Sequence, residues 1–311
     1  MSGERSGTAA HRIRVAAPAG VVYAVLADTA KMPLYFSPSV HVERLAYDGE
    51  HERLRMWCLM DGQLKSWTTR RHLDPVTHRI EFQQERPALL PAPLNGVVSL
   101  RPLGPHDTAL ELQPTPNAAL PALDEWLRSA ADLKKFSEHF SRLDDLVLTF
   151  EDSLRINGPA ELAYDLLYRA GHWPALLPHL AHATLSEDTP GVQRLTLKTL
   201  AQDGLHTTES VRICFPHAGR IVFKQTTCAP HLAAHIGEWS VTPDATGVTL
   251  TCWQSVVLRE EHPATGPHPT RSGSGSALAG TRRRVRTALS RTSTALLAAA
   301  KQHAETAVRM L

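Results

Sequence analysis

Apolar and polar residues alternate along the chain in two long series of short runs. Each series opens with a short strand and a short helical segment and closes with a long helical one. In the first, period-two alternation broken by turn residues predicts strands at 40–47, 51–60, 64–74, 78–85, 96–102 and 108–113. A short alternating strand, His11–Val15, precedes them, followed by an amphipathic helix, Pro18–Asp28, with proline in the first turn where helix starts favour it. A helical segment, Leu120–Leu143, ends the series. The same order returns with a strand at Asp152–Ile156, a helix at Pro159–Arg169, a second run of strands and a closing helix at Ala277–Met310. Strand, helix, antiparallel strands and closing helix describe an α+β domain whose curved sheet wraps the last helix.

The two series are copies. Displaced by 141 positions, "IRVAAPAGVVYAVL" (13–26) lies without gaps over "LRINGPAELAYDLL" (154–167). The same displacement lays "TTRRHLDP" (68–75) over "ESVRICFP" (209–216), "RIEFQQ" (79–84) over "RIVFKQ" (220–225), and Gly96 over Gly237. Two domains follow, 1–150 and 151–311, since the period is far too long for a solenoid repeat. A Pro-rich bend after the first helix also recurs, as "TAKMPLYFSPSV" (29–40) and "RAGHWPALLPHL" (169–180), with Met32 in one copy where Trp173 stands in the other. Residues 262–280, rich in Gly, Ser and Pro, read as a flexible loop before the last helix.

Residues two apart on a strand share a face. In copy one Lys65, Trp67, Thr69 and Arg71 lie together, and Trp67 with Leu73 turns that face inward. Their equivalents are His206, Thr208, Ser210 and Arg212. On the next strand Phe82 carries Gln84 inward, and Phe223 carries Gln225. Each concave face therefore receives an arginine beside a hydroxyl residue, Thr69 or Ser210. Burying an arginine is costly unless it is paired or meets a wet cavity. It can serve as a cationic donor to a carbonyl or enolate oxygen inside a ligand pocket. The competing reading turns it outward, or ties it to a local carboxylate such as Glu85 for Arg71.

Overall charge narrows the classes further. The net charge of +2 over 311 residues gives no global sign of nucleic-acid binding. Four cysteines (Cys58, Cys214, Cys228, Cys252) without CxxC spacing fit reduced thiols in a cytoplasmic protein. No apolar run approaches the ~20 residues that cross a bilayer. His172, His179 and His182 share one bend, and His231 and His235 have i, i+4 spacing, but no glutamate follows His231 in an HExxH arrangement. They read as surface or hydrogen-bonding histidines, with His172, next to Trp173, retained as a candidate pocket acid or base. Arg282, Arg283, Arg284, Arg286 and Arg291 crowd the start of the last helix, as a solvated face or as a docking patch for an acidic partner.

The layout, the "HWPALLPH" segment (172–179) and the Ser210-x-Arg212 strand resemble the polyketide aromatase/cyclases of bacterial type II polyketide synthases, in the START-like, helix-grip superfamily. The gapless duplication and the trailing Arg/Ala-rich helix resemble the didomain members over nearly the whole chain. Single-domain relatives carry a Trp-Pro after the first helices, then a strand with Trp, Ser and Arg two apart. Copy two matches with Trp173, Pro174, Ser210 and Arg212 but has Thr208 at the strand tryptophan. Copy one matches with Pro33, Trp67 and Arg71 but has Met32 and Thr69 at the other positions.

The resemblance implies a carrier-bound poly-β-ketone whose first ring closes by aldol condensation between carbons 7 and 12 and is then dehydrated, sometimes after a ketoreductase has acted. No metal or organic cofactor is implied. Arg71 or Arg212 would stabilise the enolate, and Ser210, His172, His206, Thr69 or Tyr35 would move protons. Trp173, Trp67, Met32, Tyr35, Phe82, Gln84, Phe223, Gln225, His206 and Thr208 would line the pockets. An acyl carrier protein would be the partner, docking at Arg282, Arg283, Arg284 and Arg286. Two alternatives stand beside this one: a non-catalytic START-like carrier of a hydrophobic molecule, and a pair in which one copy only scaffolds the other.

Overall fold

A computed structural model describes residues 10–85, 95–115, 120–201, 204–259 and 274–309. The chain divides into two compact units, Met1–Arg142 and Leu143–Leu311.

In unit 1, β1 (His11–Val15) is followed by α1 (Ala19–Ala27) and the one-turn α2 (Met32–Tyr35). Six strands then run in order: β2 (Ser39–Tyr47), β3 (His51–Met60), β4 (Gln63–Asp74), β5 (Arg79–Glu85), β6 (Gly96–Gly104) and β7 (Asp107–Pro114). All neighbours are antiparallel, and β1 pairs with β7, giving the sheet order β1-β7-β6-β5-β4-β3-β2. α1 starts at Pro18, whose carbonyl accepts from Val21 and Val22. α3 (Leu120–Glu138) turns Ala130, Leu133 and Phe136 inward at helical spacing. The expected helix to Leu143 is interrupted at His139, whose Nδ1 lies 2.7 Å from the Lys135 carbonyl oxygen. It resumes as α4 (Phe140–Leu146), and the next strand follows without a loop.

Unit 2 repeats the plan with β8 (Val147–Ile156), α5 (Ala160–Tyr168), α6 (Trp173–Leu176), β9 (Leu180–Thr189), β10 (Val192–Ala201), β11 (Gly204–Phe215), β12 (Arg220–Thr227), β13 (Leu232–Asp244), β14 (Gly247–Leu258) and α7 (Ser274–Arg309). Its sheet order, β8-β14-β13-β12-β11-β10-β9, is that of unit 1. α7 buries Val285, Ser293, Leu296, Leu297, Ala300 and Ala304 in one stripe. It also takes in Ser274–Gly280, the end of the stretch expected to be a loop. Once a helix exists each added residue gains a hydrogen bond, so small residues can extend it. The remainder, 262–273, lies outside the described residues.

The duplication extends to register. Across the concave face of unit 1 run Glu52, Arg71, Phe82 and Gly96; across unit 2 run Gln193, Arg212, Phe223 and Gly237. Glycine ends each row because the sheet closes tightly there. A Cβ on Gly237 would sit 2.5 Å from the Phe223 ring, and one on Gly96 would sit 2.6 Å from the Gln113 carbonyl oxygen.

Candidate active site

The interior of unit 1 holds a cavity of about 180 Å³. Met32, Met56, Met60, Trp67, Phe82 and Val98 form much of its wall, and Leu133 closes it from α3. Its polar border is narrow: Arg71 and Thr69 on β4, Gln84 on β5, Ser39 on β2 and Ser129 on α3. The β4 alternation is responsible, since Trp67, Thr69 and Arg71 point to one side and are 6%, 3% and 6% exposed.

Arg71 donates from Nη2 to the Leu26 carbonyl oxygen at the end of α1 (2.8 Å). Its Nε stands 3.2 Å from the wholly buried carboxylate of Glu52, and its Nη1 is 3.8 Å from Met32 Sδ. Burial pulls the guanidinium pKa down and Glu52 holds it up. Glu85 is not its partner. That carboxylate binds Arg53 (2.7 Å) and Arg70 (2.6 Å), because Arg70 lies on the opposite face of β4. The Thr69 hydroxyl and Trp67 Nε1 are buried without a hydrogen-bond partner among the described residues. Unpaired donors at a cavity wall are available to a ligand.

The same positions in unit 2 are filled differently. Arg212 is 1% exposed and donates to three acceptors: Leu167 O (2.6 Å), Gln193 Oε1 (2.8 Å) and Tyr168 O (3.2 Å). Burial lowers its pKa to about 10. Gln193 in turn donates to Glu187 (2.9 Å), which also accepts from the Tyr168 hydroxyl (2.5 Å). Trp173 lies in the core: Nε1 donates to Leu166 O (3.2 Å), and the ring meets Arg212 at 5.3 Å and Trp239 edge-on at 6.1 Å. Trp173 and Trp239 stand 141 positions after Met32 and Val98, both cavity-lining in unit 1. Two buried indoles in contact therefore stand in unit 2 at the positions where a thioether and a valine line the cavity of unit 1.

The remaining predicted site residues divide. Met32, Trp67, Thr69, Arg71, Phe82 and Gln84 meet at the cavity. Tyr35 is buried on Phe136 of α3, with ring centroids 4.9 Å apart, instead of bordering the cavity. His172 is exposed at the surface, which removes it as a pocket acid or base. Ser210 is half-buried, its hydroxyl 3.4 Å from Leu195 O, and shares the inner face with Thr208, His206 and Gln225. Phe223 packs edge-on against His235, a buried histidine whose pKa burial lowers to about 4. Among the described residues no group of three or more His, Cys, Asp or Glu could hold a metal ion. No helix among them is long and apolar enough to cross a membrane.

Sequence reasoning missed Glu52 and Trp239. Glu52 shares strand parity with Leu54, Met56, Cys58 and Met60, and a carboxylate heading an apolar stripe was its available signal. Trp239 was legible only by carrying the displacement through to Val98.

A family model described as polyketide cyclase/dehydrase and lipid transport matches residues 147–305. The granaticin polyketide synthase bifunctional cyclase/dehydratase of Streptomyces violaceoruber is 32% identical over 312 residues, covering 96% of this chain and 94% of that protein. The chain belongs to the polyketide cyclase/dehydrase family, as a di-domain aromatase/cyclase. The actinorhodin bifunctional cyclase/dehydratase of Streptomyces coelicolor is 35% identical to this aromatase/cyclase over 271 residues, 80% of the chain and 83% of the relative. Among solved structures, the di-domain ARO/CYC StfQ from the steffimycin pathway superposes with a TM-score of 0.82 at 28% identity, covering 97% and 99% of the two chains. BexL, from the BE-7585A pathway, gives 0.77 at 36% identity over 96% and 98%.

The arginines at the start of α7 do not form one outward patch. Arg282 donates to the carbonyl oxygens of Asp145 and Val147, and Arg286 pairs with Asp152 (2.9 Å) and covers the Phe150 ring at 4.1 Å. Arg283, Arg284 and Arg291 are exposed.

Proposed function

We propose that the unit 1 cavity is where this aromatase/cyclase folds a carrier-bound poly-β-ketone, joins carbons 7 and 12, and dehydrates the new ring. Unit 2 then acts as a scaffold. One observation carries the reading: Arg71 borders the cavity with Nη1 beside Met32, whereas Arg212 spends Nη1 on two protein acceptors and Nη2 on a third beneath an indole at the same register. In the aldol step a carbon–hydrogen bond gives up its proton, and the resulting enolate carbon attacks a ketone of the same chain. The alkoxide takes a proton, and water is lost later. Confinement supplies the near-attack geometry. Arg71 stabilises the oxyanion through a charge-assisted hydrogen bond. Thr69 and Trp67 Nε1 hold neighbouring carbonyls, and the three methionines adapt the wall to the folded chain. The methionine-rich lining and the unpaired donors support these roles.

An acyl carrier protein is the partner, drawn to exposed Arg283 and Arg284; their local charge supports this. A ketoreductase acts upstream where the ring oxygen pattern requires it. Cysteines without CxxC spacing support a cytoplasmic setting.

The test is Arg71→Ala in the full chain within a reconstituted synthase. Correctly cyclised product is expected to fall on the order of 10²-fold, while Arg212→Ala chiefly lowers the melting temperature. Wild-type yield from folded Arg71→Ala would overturn the assignment.

A further inference from the structure

The buried carboxylate behind Arg71 has no place in the reaction described above, because Glu52 does not border the cavity. It lies directly across the β3–β4 ladder from Arg71, as Gln193 lies across from Arg212. Glu52 is 2% exposed, and neither of its oxygens takes a hydrogen bond of good geometry. Ion pairs hold it instead: Arg71 Nε at 3.2 Å on the inner side and Arg44 Nε at 3.3 Å on the outer. Arg44 is fixed there by Thr29 Oγ1 (2.7 Å) and the Tyr47 ring (4.8 Å).

The two copies grip their arginines by different nitrogens. Gln193 accepts from Arg212 Nη1, and the two carbonyl bonds of Nη1 and Nη2 complete the set. In unit 1 the Nη2 bond recurs, to Leu26, the counterpart of Leu167. The anchor, however, has moved to Nε, and Nη1 is left against Met32 Sδ at the cavity wall. The charge also differs. Arg44, Glu52 and Arg71 together retain one positive charge, so the desolvation cost is offset without cancelling the cation that meets the cavity.

We infer that Glu52 is a positioning residue: by holding Arg71 through Nε it keeps Nη1 aimed at the developing oxyanion of the substrate. The inference rests on the proposed role of Arg71, acts only through it, and assigns Arg44 as the outer counter-ion.

Glu52→Gln tests it in the full-length protein, with the amide already tolerated at Gln193 in the other copy. Product yield is measured in the reconstituted synthase beside Arg71→Ala, and binding of 1,8-dihydroxyanthraquinone is followed by tryptophan fluorescence. Yield is expected to fall between about tenfold and 10²-fold, the scale for a catalytic group displaced by about 1 Å. The Kd for the quinone is expected to stay within about threefold, because no wall residue changes and the lost interaction belongs to the transition state. A merely structural role would move melting temperature, binding and yield together, and that outcome overturns the inference. So does wild-type yield from Glu52→Gln when Arg71→Ala is inactive; full activity in Arg71→Ala would instead remove the reading beneath it. If Glu52→Gln does not fold, Glu52→Gln with Arg44→Met restores the single net positive charge. That pair is expected to fold and to show the same loss, and wild-type yield from it overturns the inference.

Discussion

Arg71 and Arg212 share a strand position, a register and a backbone acceptor, yet their surroundings give them opposite work. The difference comes from a few side chains, Glu52 against Gln193 and Met32 against Trp173, and no backbone change is needed. His235 offers a separate test of the unit 2 interior. It is 3% exposed, with Nε2 3.0 Å from Gln254 Oε1 and Nδ1 without a partner among the described residues. Its folded pKa of about 4 lies below the ordinary 6.5. The unfolded chain therefore binds the extra proton first as pH falls. The stability linked to neutral His235 is complete above pH 6.5 and is lost between 6.5 and 4, amounting to about 3 kcal/mol. Denaturant titrations across that window should show a shallower pH dependence for His235→Gln than for the wild type, and equal slopes would contradict the assignment. Inward placement of both arginines was legible, because Trp67 and Leu73 fix the parity of β4. Glu52 gave only its place at the head of an apolar stripe, and a lone carboxylate at a strand end reads as solvated until its cross-strand partner is known.

At the scale of elements, the strands of unit 1 were readable almost to the residue, since turn residues and period-two alternation mark both ends of each. Helix limits were less so. Leu120–Glu138 and Phe140–Leu146 carry one continuous periodicity, and the break falls at His139, whose ring bonds a backbone carbonyl of the preceding turn. α7 is anchored by Asp152, which accepts from Ser293 (2.6 Å), Ser290 (2.9 Å) and Arg286 (2.9 Å). Burial pushes that carboxyl up, and these bonds outweigh it, leaving the pKa lowered. The Trp173–Trp239 contact joins α6 to β13 in the interior of unit 2. Trp173→Met with Trp239→Val, the residues of the other copy, should open space there. A loss of roughly 3 kcal/mol or more in stability is expected, together with a second binding site for 1,8-dihydroxyanthraquinone by calorimetry. Unchanged stability and stoichiometry would show that the indoles do not fill the space.

Over the whole molecule, one duplication, gapless from the first strand to the last of each sheet and interrupted only before the closing helix, has kept fold and register while the side chains lining its two interiors diverged. The duplication was visible in the sequence because the matched segments, from residue 13 to Gly96, all lie 141 positions before their counterparts. That Trp173 and Trp239 meet in the core of unit 2 was not, because their contact exists only in three dimensions. The Met32-to-Trp173 exchange was a sign of divergence, and the packing gave it direction. Placing an indole in unit 1 tests the account most directly. Met32→Trp should fill part of the cavity at a cost of about 1–3 kcal/mol from overpacking, leaving the protein folded. In a reconstituted synthase its yield of correctly cyclised product is predicted to collapse. Wild-type yield from folded Met32→Trp would contradict the claim that the ring is formed in unit 1.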